Sequence, residues 1–320
     1  MTLSTLFRAA AGTATGLLLA STSALAVVLP PPSFSSLVVF GDSLSDNGNL
    51  FALDSGAYPA APYWNGRFSN GPVAVERLAS GLGLSGAQFQ NLAIGGARTG
   101  LTGSGDGLAG KATGMLSQLA QFGGAPANSG ALYVVWGGAN DMRDGMAAGT
   151  DAAVNASMTT AITNLTTIIG ALHAAGARNF LLPNLPDLGL TPEARSHGAA
   201  AAGAASFVSG LFNQQLSAAY GAMAQAWTDE HFYYFNAMGA QQAITLGAPG
   251  NGFSNVESAC LSTAGCNPAT YLYWDSIHPT SATHAILGAQ MLAAVPEPQA
   301  MLLMAAGLLV LLGVRQRQQR

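Results

Sequence analysis

The sequence predicts an α/β fold, a mostly parallel five-stranded sheet covered by helices on both faces. Three observations predict it. Short β-rich runs alternate with longer alanine-rich helical patterns through the body of the 320-residue chain, the order that builds a parallel sheet from crossover units. Most of these β-rich runs are apolar throughout, as expected where both faces of a strand are buried. Each of the first three runs ends in a tight glycine-containing turn, at the carboxyl end of a strand where such sheets bind ligands.

The elements follow in order. Pro30-Pro31-Pro32 forms a leader, residues 27–34, before the first strand at residues 37–40. Further strands are expected at 89–93, 132–136, 179–182 and 232–235. Helical patterns cover 72–82, 113–122, 152–175 and 199–229, and a last one at 281–294 closes the domain. The Gly/Ser stretch 100–110 reads as a flexible loop. Residues 246–270, rich in Gly, Asn and Ser, read as an irregular excursion that either connects elements or walls a cleft. No long internal repeat is present.

Both ends of the chain stand apart from this body. Residues 1–26 read as a secretory signal peptide, with Arg8, an apolar stretch from Ala9 to Ala20 and the small-residue site Ala24-Leu25-Ala26. At the other end, Val295-Pro296-Glu297-Pro298 precedes an apolar run over residues 300–314 and then Arg315, Arg317 and Arg320. As a helix the run spans roughly 24 Å, enough for transient membrane insertion with snorkelling arginines. Terminal arginines stay cytoplasmic, which places everything upstream outside the inner membrane. The three-part arrangement of residues 295–320 resembles the PEP-CTERM sorting tail of Gram-negative bacteria. That resemblance implies an exosortase acting near Pro296, Glu297 and Pro298, and a final place at the cell surface or in the extracellular matrix. An ordinary C-terminal anchor would place the body on the same side.

Between these ends, 7 Lys and Arg face 14 Asp and Glu, and Lys111 is the one lysine. So acidic a body is a poor partner for nucleic acid, which needs clustered cations. Cys260 and Cys266 are the two cysteines, and in an exported protein they read as one disulfide closing a small loop. No histidine lies at ligand spacing beside them, so neither a metal nor another cofactor is expected.

The chemistry is carried by a few turn residues. Ser43 follows the first strand in Gly41-Asp42-Ser43, and a serine hydroxyl attacks a carbonyl only when a base removes its proton. Of the five histidines, His173, His197 and His231 read as structural or solvated, and His284 lies inside a helical pattern. His278 stands in Trp274-Asp275-Ser276-Ile277-His278-Pro279. There the carboxylate three residues back can accept the Nδ1–H and leave the other ring nitrogen as an acceptor. Pro279 keeps His278 out of the helix. Donors for a developing oxyanion are available as the N–H groups of Ser43 and Gly96 and the amide of Asn140. Gly95 competes with Gly96. Asp42 is expected to bond turn amides and not His278, Asp46, Asn47 and Asn49 to organise the loop that follows, and Asp141 and Asp187 to form turns.

Taken together, Phe40-Gly-Asp-Ser-Leu-Ser-Asp-Asn-Gly-Asn49, Asn91-Leu-Ala-Ile-Gly-Gly-Ala97, Gly138-Ala-Asn-Asp141 and Asp275-Ser-Ile-His278-Pro279 resemble the blocks of the GDSL, or SGNH, hydrolase family. They occur in the family's order and spread across essentially the whole of the expected hydrolase domain, residues 35–294. The resemblance implies a three-layer α/β/α flavodoxin-like sandwich and a serine esterase or lipase. It implies Ser43 as nucleophile, His278 as base, Asp275 as its orienting acid, and Ser43, Gly96 and Asn140 as the oxyanion hole. The substrates it implies are small-molecule, lipid or acylated-glycan esters. Tyr58, Tyr63, Trp64 and Trp274 are candidates to line an acyl pocket or a sugar platform. A glycan O-acetyl-esterase, or a surface protein that uses the scaffold only for binding, are the alternatives.

Overall fold

The structure, a computed structural model, describes residues 34–123 and 126–295, together with Gly307. The expected signal peptide, the leader up to residue 33 and, apart from Gly307, the apolar run of the tail lie outside the described residues. Among the described residues, no helix is long and apolar enough to cross a membrane.

The elements run β1 (Leu37–Gly41), α1 (Asn49–Leu53), α2 (Ala74–Gly81), β2 (Phe89–Asn91), α3 (Met115–Phe122), β3 (Leu132–Trp136), α4 (Ala139–Ala147) and α5 (Asp151–Ala175). They continue as β4 (Asn179–Pro183), α6 (Pro192–Ser196), α7 (Ala199–Ala226), β5 (His231–Phe235), α8 (Ala237–Leu246), β6 (Asn255–Ala259), β7 (Tyr271–Tyr273) and α9 (Ser281–Ala294). Five strands form one sheet in the order β2-β1-β3-β4-β5, and every pairing within it is parallel. Leu37 pairs with Phe89 and Leu132, Leu132 with Asn179, and Asn179 with His231. The strands therefore start in register, and their carboxyl ends open on one rim.

Alternation along the strands creates two cores. Val38, Phe40, Tyr133, Val135, Phe180 and Leu182 face α5 and α7, where Leu165, Ile168, Phe212 and Leu216 meet them. Leu37, Val39, Leu132, Val134 and Leu181 point the other way, toward Leu78, Ile244, Leu287 and Met291 on α2, α8 and α9. A period of two in the strands and an apolar stripe on each helix give the three layers. Burial of each large side chain contributes about 1.5–3 kcal/mol.

Several local expectations are corrected. Gly137–Asp141 is not a plain turn, because α4 starts at Ala139 behind Gly138, which holds φ at +106°. The apolar stripe of α4 is short, Ala139, Met142 and Met146, and is interrupted by polar residues, one of which, Asp141, is itself buried. The 246–270 excursion is not wholly irregular, since it contains β6, which pairs with β7, while Cys260 and Cys266 are joined there as the expected disulfide. The glycine-rich loop at 100–110 is organised rather than free, since one Asp106 oxygen accepts from Gly103 N–H, Thr113 N–H and the Thr113 hydroxyl.

His284 on α9 is fully buried. Its Nδ1 accepts the Ala74 N–H at 3.1 Å, while its Nε2 meets no partner among the described residues. Burial, followed by the charges of His278 and Arg77, pushes its pKa down to about 3. The ring is thus neutral in the fold and protonates on unfolding. Because the folded pKa lies below the unfolded one, stability falls as pH drops from about 6.5 toward 3. Urea melts at pH 7 and pH 4.5 should show the parent losing about 2–3 kcal/mol more than His284→Asn, which keeps an acceptor for Ala74. Parallel losses in the two proteins would contradict this.

Candidate active site

The turn after β1 is held from several sides. Gly41 donates its N–H to Gln118 Oε1 at 3.0 Å and accepts from Gln118 Nε2 at 2.8 Å, so a buried amide of α3 closes the end of the strand. A side chain at Gly41 would lie 2.8 Å from the Trp136 carbonyl oxygen, and only glycine fits. Asp42 is buried, and its Oδ1 accepts the Leu44 N–H at 3.0 Å. Burial pushes its pKa up to about 6, against the lowering effects of the Leu44 bond, His278 and Arg143.

Asp46 ties this turn to the next. Its Oδ1 accepts from Gly48 at 2.8 Å and Asn49 at 2.6 Å, and its Oδ2 from Leu50 at 3.1 Å and Gly95 at 2.7 Å. The Asn49 amide donates to the Asn91 and Ala93 carbonyls, and Asn91 donates to the Ser45 carbonyl. The first two glycine turns of the rim are thereby one hydrogen-bonded unit. Asp46 and Asn49 organise the loop after Ser43, as their types suggest. Gly95 has its N–H engaged by Asp46, whereas those of Ser43 and Gly96 meet no acceptor among the described residues. Gly96 holds φ at +74°, and a Cβ there would lie 2.6 Å from the Ser104 side chain.

Ser43 and His278 lie 235 residues apart in sequence, yet Ser43 Oγ is 2.8 Å from His278 Nε2. His278 Nδ1 is 2.7 Å from Asp275 Oδ2. The other oxygen of Asp275 accepts the N–H groups of Ile277 at 2.9 Å and His278 at 2.7 Å. Burial alone would raise the Asp275 pKa, but the His278 charge and these hydrogen bonds bring it down to about 2. Phe68 packs against the imidazole at 5.0 Å between centroids. The chain Ser43–His278–Asp275 has the connectivity through which a hydroxyl proton can pass to an imidazole whose far side is held by a carboxylate.

Ser43, Asn140, Asp42 and His278 share the wall of a cavity of about 60 Å³, together with Leu44, Trp136, Leu272, Tyr273 and Leu287. Gly96 lies on the neighbouring turn, outside that wall. Asn140 donates one amide hydrogen to the Ala97 carbonyl at 2.9 Å, and its other remains available. A wider groove of about 340 Å³ shares Arg143, Leu188, Thr191 and Ile277 with the cavity. The four aromatics expected to line a pocket do not line this one. Tyr63 and Trp274 pack edge-on beside Asp275, Trp64 lies under Arg67, and Tyr58 is half-exposed against Phe68. Reading the sequence overlooked Gln118 and Arg143, neither of which stands in a recognisable block. Asp141 lies in the first turn of α4 and not in a loop turn as expected, where it accepts from Thr99, whereas Asp187 accepts from Gly189 and Ser206 as a turn residue. Among the described residues, no group of three His, Cys, Asp or Glu side chains is arranged to hold a metal ion.

Comparison with known proteins adds to this geometry. The family model described as GDSL-like lipase/acylhydrolase matches residues 37–291, and that of the PEP-CTERM protein-sorting motif matches residues 294–318. A phosphatidylcholine-sterol acyltransferase of Aeromonas hydrophila is 29% identical, over 80% of this chain and 88% of that protein. A thermolabile hemolysin of Vibrio parahaemolyticus is 27% identical, over 82% of this chain and 64% of that protein. A GDSL esterase/lipase of Arabidopsis thaliana is 27% identical, over 78% and 84%. Among solved structures, the acetyl xylan esterase AlAXEase aligns with a TM-score of 0.44 at 12% identity, over 82% of this chain and 100% of that one. The chain, a carboxylic ester hydrolase with a PEP-CTERM sorting motif, thus belongs to the GDSL-like lipase/acylhydrolase family.

Proposed function

We propose that the protein hydrolyses short-chain carboxylic esters through an acyl-enzyme on Ser43. The observation that carries this reading is the continuous chain from Ser43 Oγ through His278 to Asp275 at the wall of a small, mainly apolar cavity. His278 Nε2 takes the proton as Ser43 Oγ attacks the ester carbon. The tetrahedral oxyanion is held by the N–H groups of Ser43 and Gly96 and by the free hydrogen of the Asn140 amide. Gly96 is the better donor than Gly95, whose N–H is engaged by Asp46. His278 then returns the proton to the leaving alcohol, and water releases the acid by the same steps. Asp275, held ionised down to about pH 2, keeps the imidazole in the tautomer this requires.

A cavity of about 60 Å³ admits only a few heavy atoms, since one water already needs about 10–15 Å³. It suits an acetyl to butyryl group, and the adjoining groove suits the larger alcohol. The reading also divides the chain into a signal peptide at residues 1–26, a hydrolase domain at 35–294 and a sorting tail at 295–320. The tail would be processed by an exosortase near Pro296–Pro298 and the domain released to the cell surface. The test is a series of p-nitrophenyl esters. Values of kcat/KM for acetate and butyrate should exceed that for palmitate by about 10-fold or more. A profile rising toward palmitate would contradict the assignment of the cavity.

A further inference from the structure

Asp275 has one more partner than the reaction scheme above uses. The Tyr63 hydroxyl donates to Asp275 Oδ2 at 2.7 Å, the same oxygen that faces His278 Nδ1 at 2.7 Å. Tyr63 reaches it from a segment 212 residues earlier in the chain, with its ring packed edge-on against Trp274 and Phe68. Burial, and then the Asp275 charge, raise the Tyr63 pKa, so the phenol stays a neutral donor. We propose that Tyr63 is a positioning residue of the hydrolase, fixing the Asp275 carboxylate and setting how strongly that carboxylate bonds to His278.

The physical basis is competition for one oxygen. A second donor on Oδ2 draws charge away from the bond to His278 and lowers the basicity that the carboxylate lends to the ring. It also restrains Asp275, whose other oxygen is tied only to its own loop through Ile277 and His278. Removing the hydroxyl strengthens the Asp275–His278 bond and makes His278 more basic, while loosening its aim at Ser43. This role rests on Ser43, His278 and Asp275 being the reacting array.

The other ionisable groups around His278 would be unchanged by Tyr63→Phe. They are Asp42 after β1 and Arg143 on α4, both in the cavity wall, and His284 on α9, with Tyr58 beside the acid. The experiment is the pH profile of kcat/KM for p-nitrophenyl butyrate in the parent, Tyr63→Phe and Tyr133→Phe. Tyr133 is the control, because its hydroxyl bonds the Asn128 carbonyl within the core. The acid limb of Tyr63→Phe should move up by about half a pH unit, with kcat lowered about 3- to 10-fold and KM within about 2-fold. Tyr133→Phe should keep the parent's limb. If Tyr63→Phe is too unstable for kinetics, the downfield Nδ1–H resonance of His278 is read in the folded fraction and should move further downfield. An unmoved limb, or an unmoved resonance, overturns the role of Tyr63. His278→Ala is measured alongside. Its inactivity leaves an unmoved limb to count against Tyr63 alone, whereas parental activity would overturn the reacting array and this role with it.

Discussion

Ser43→Ala is expected to lower kcat for p-nitrophenyl butyrate by about 10⁴-fold or more, with KM nearly unchanged. The hydroxyl lies at the cavity wall, 2.8 Å from the outward nitrogen of His278. Without it, no covalent intermediate forms, and the residual rate comes from water acting beside the same oxyanion donors. The fold should tolerate the change. Among the described residues, the Ser43 side chain bonds only His278, and the turn is built by Asp42, Asp46 and Gln118. Melting within a degree or two of the parent would separate the chemical loss from any structural one. Retention of more than about a tenth of parental kcat would contradict the role of Ser43 as nucleophile.

Asp46→Ala is expected to lose stability by about 3–5 kcal/mol. The carboxylate is fully buried and accepts four backbone N–H groups, which the alanine would leave without partners. Each stranded donor costs about 1–3 kcal/mol, partly relieved where water or local rearrangement reaches it. Set against a total of about 5–15 kcal/mol for a domain, this is a large fraction. Burial raises the Asp46 pKa even with those four donors present, so the residue acts through the hydrogen bonds it accepts. Because Gly95 is one of the four, the loss should also detach the Gly95-Gly96 turn from the Ser43 turn. The folded fraction would then be slower in hydrolysis as well as easier to unfold. Urea midpoints for the parent and Asp46→Ala check the first effect, and a difference below about 1 kcal/mol would contradict it.

Asp46 also shows where the sequence was legible. Its place in a polar run after an apolar strand marks it as a loop organiser, but nothing in the run says that it reaches Gly95, 49 residues later. The three central strands, β1, β3 and β4, were readable because strands buried on both faces are mostly apolar, and the edge strands β2 and β5, only partly buried, were readable from their aromatic residues. Helices α5, α7 and α9 were readable because alanine-rich runs of that length have few other structures open to them. α4 was not, because its stripe is only Ala139, Met142 and Met146 among polar residues, and Gly138-Ala139-Asn140-Asp141 has the composition of a turn. At the site, Ser43, Asp275 and His278 could be singled out from local spacing and from blocks shared with a family. Tyr63, Gln118 and Arg143 reach the site's neighbourhood through tertiary contacts alone. Their types, an aromatic, an amide and a surface cation, carry no local signal of what they meet.

The most direct measurement is mass spectrometry of the enzyme quenched during turnover of a slowly deacylated ester, with a fluorophosphonate probe as a second label. An acyl adduct, and the phosphonyl adduct, should map to the peptide containing Ser43 and be absent from Ser43→Ala. Turnover without an adduct at Ser43, or an adduct on another residue, would contradict the account.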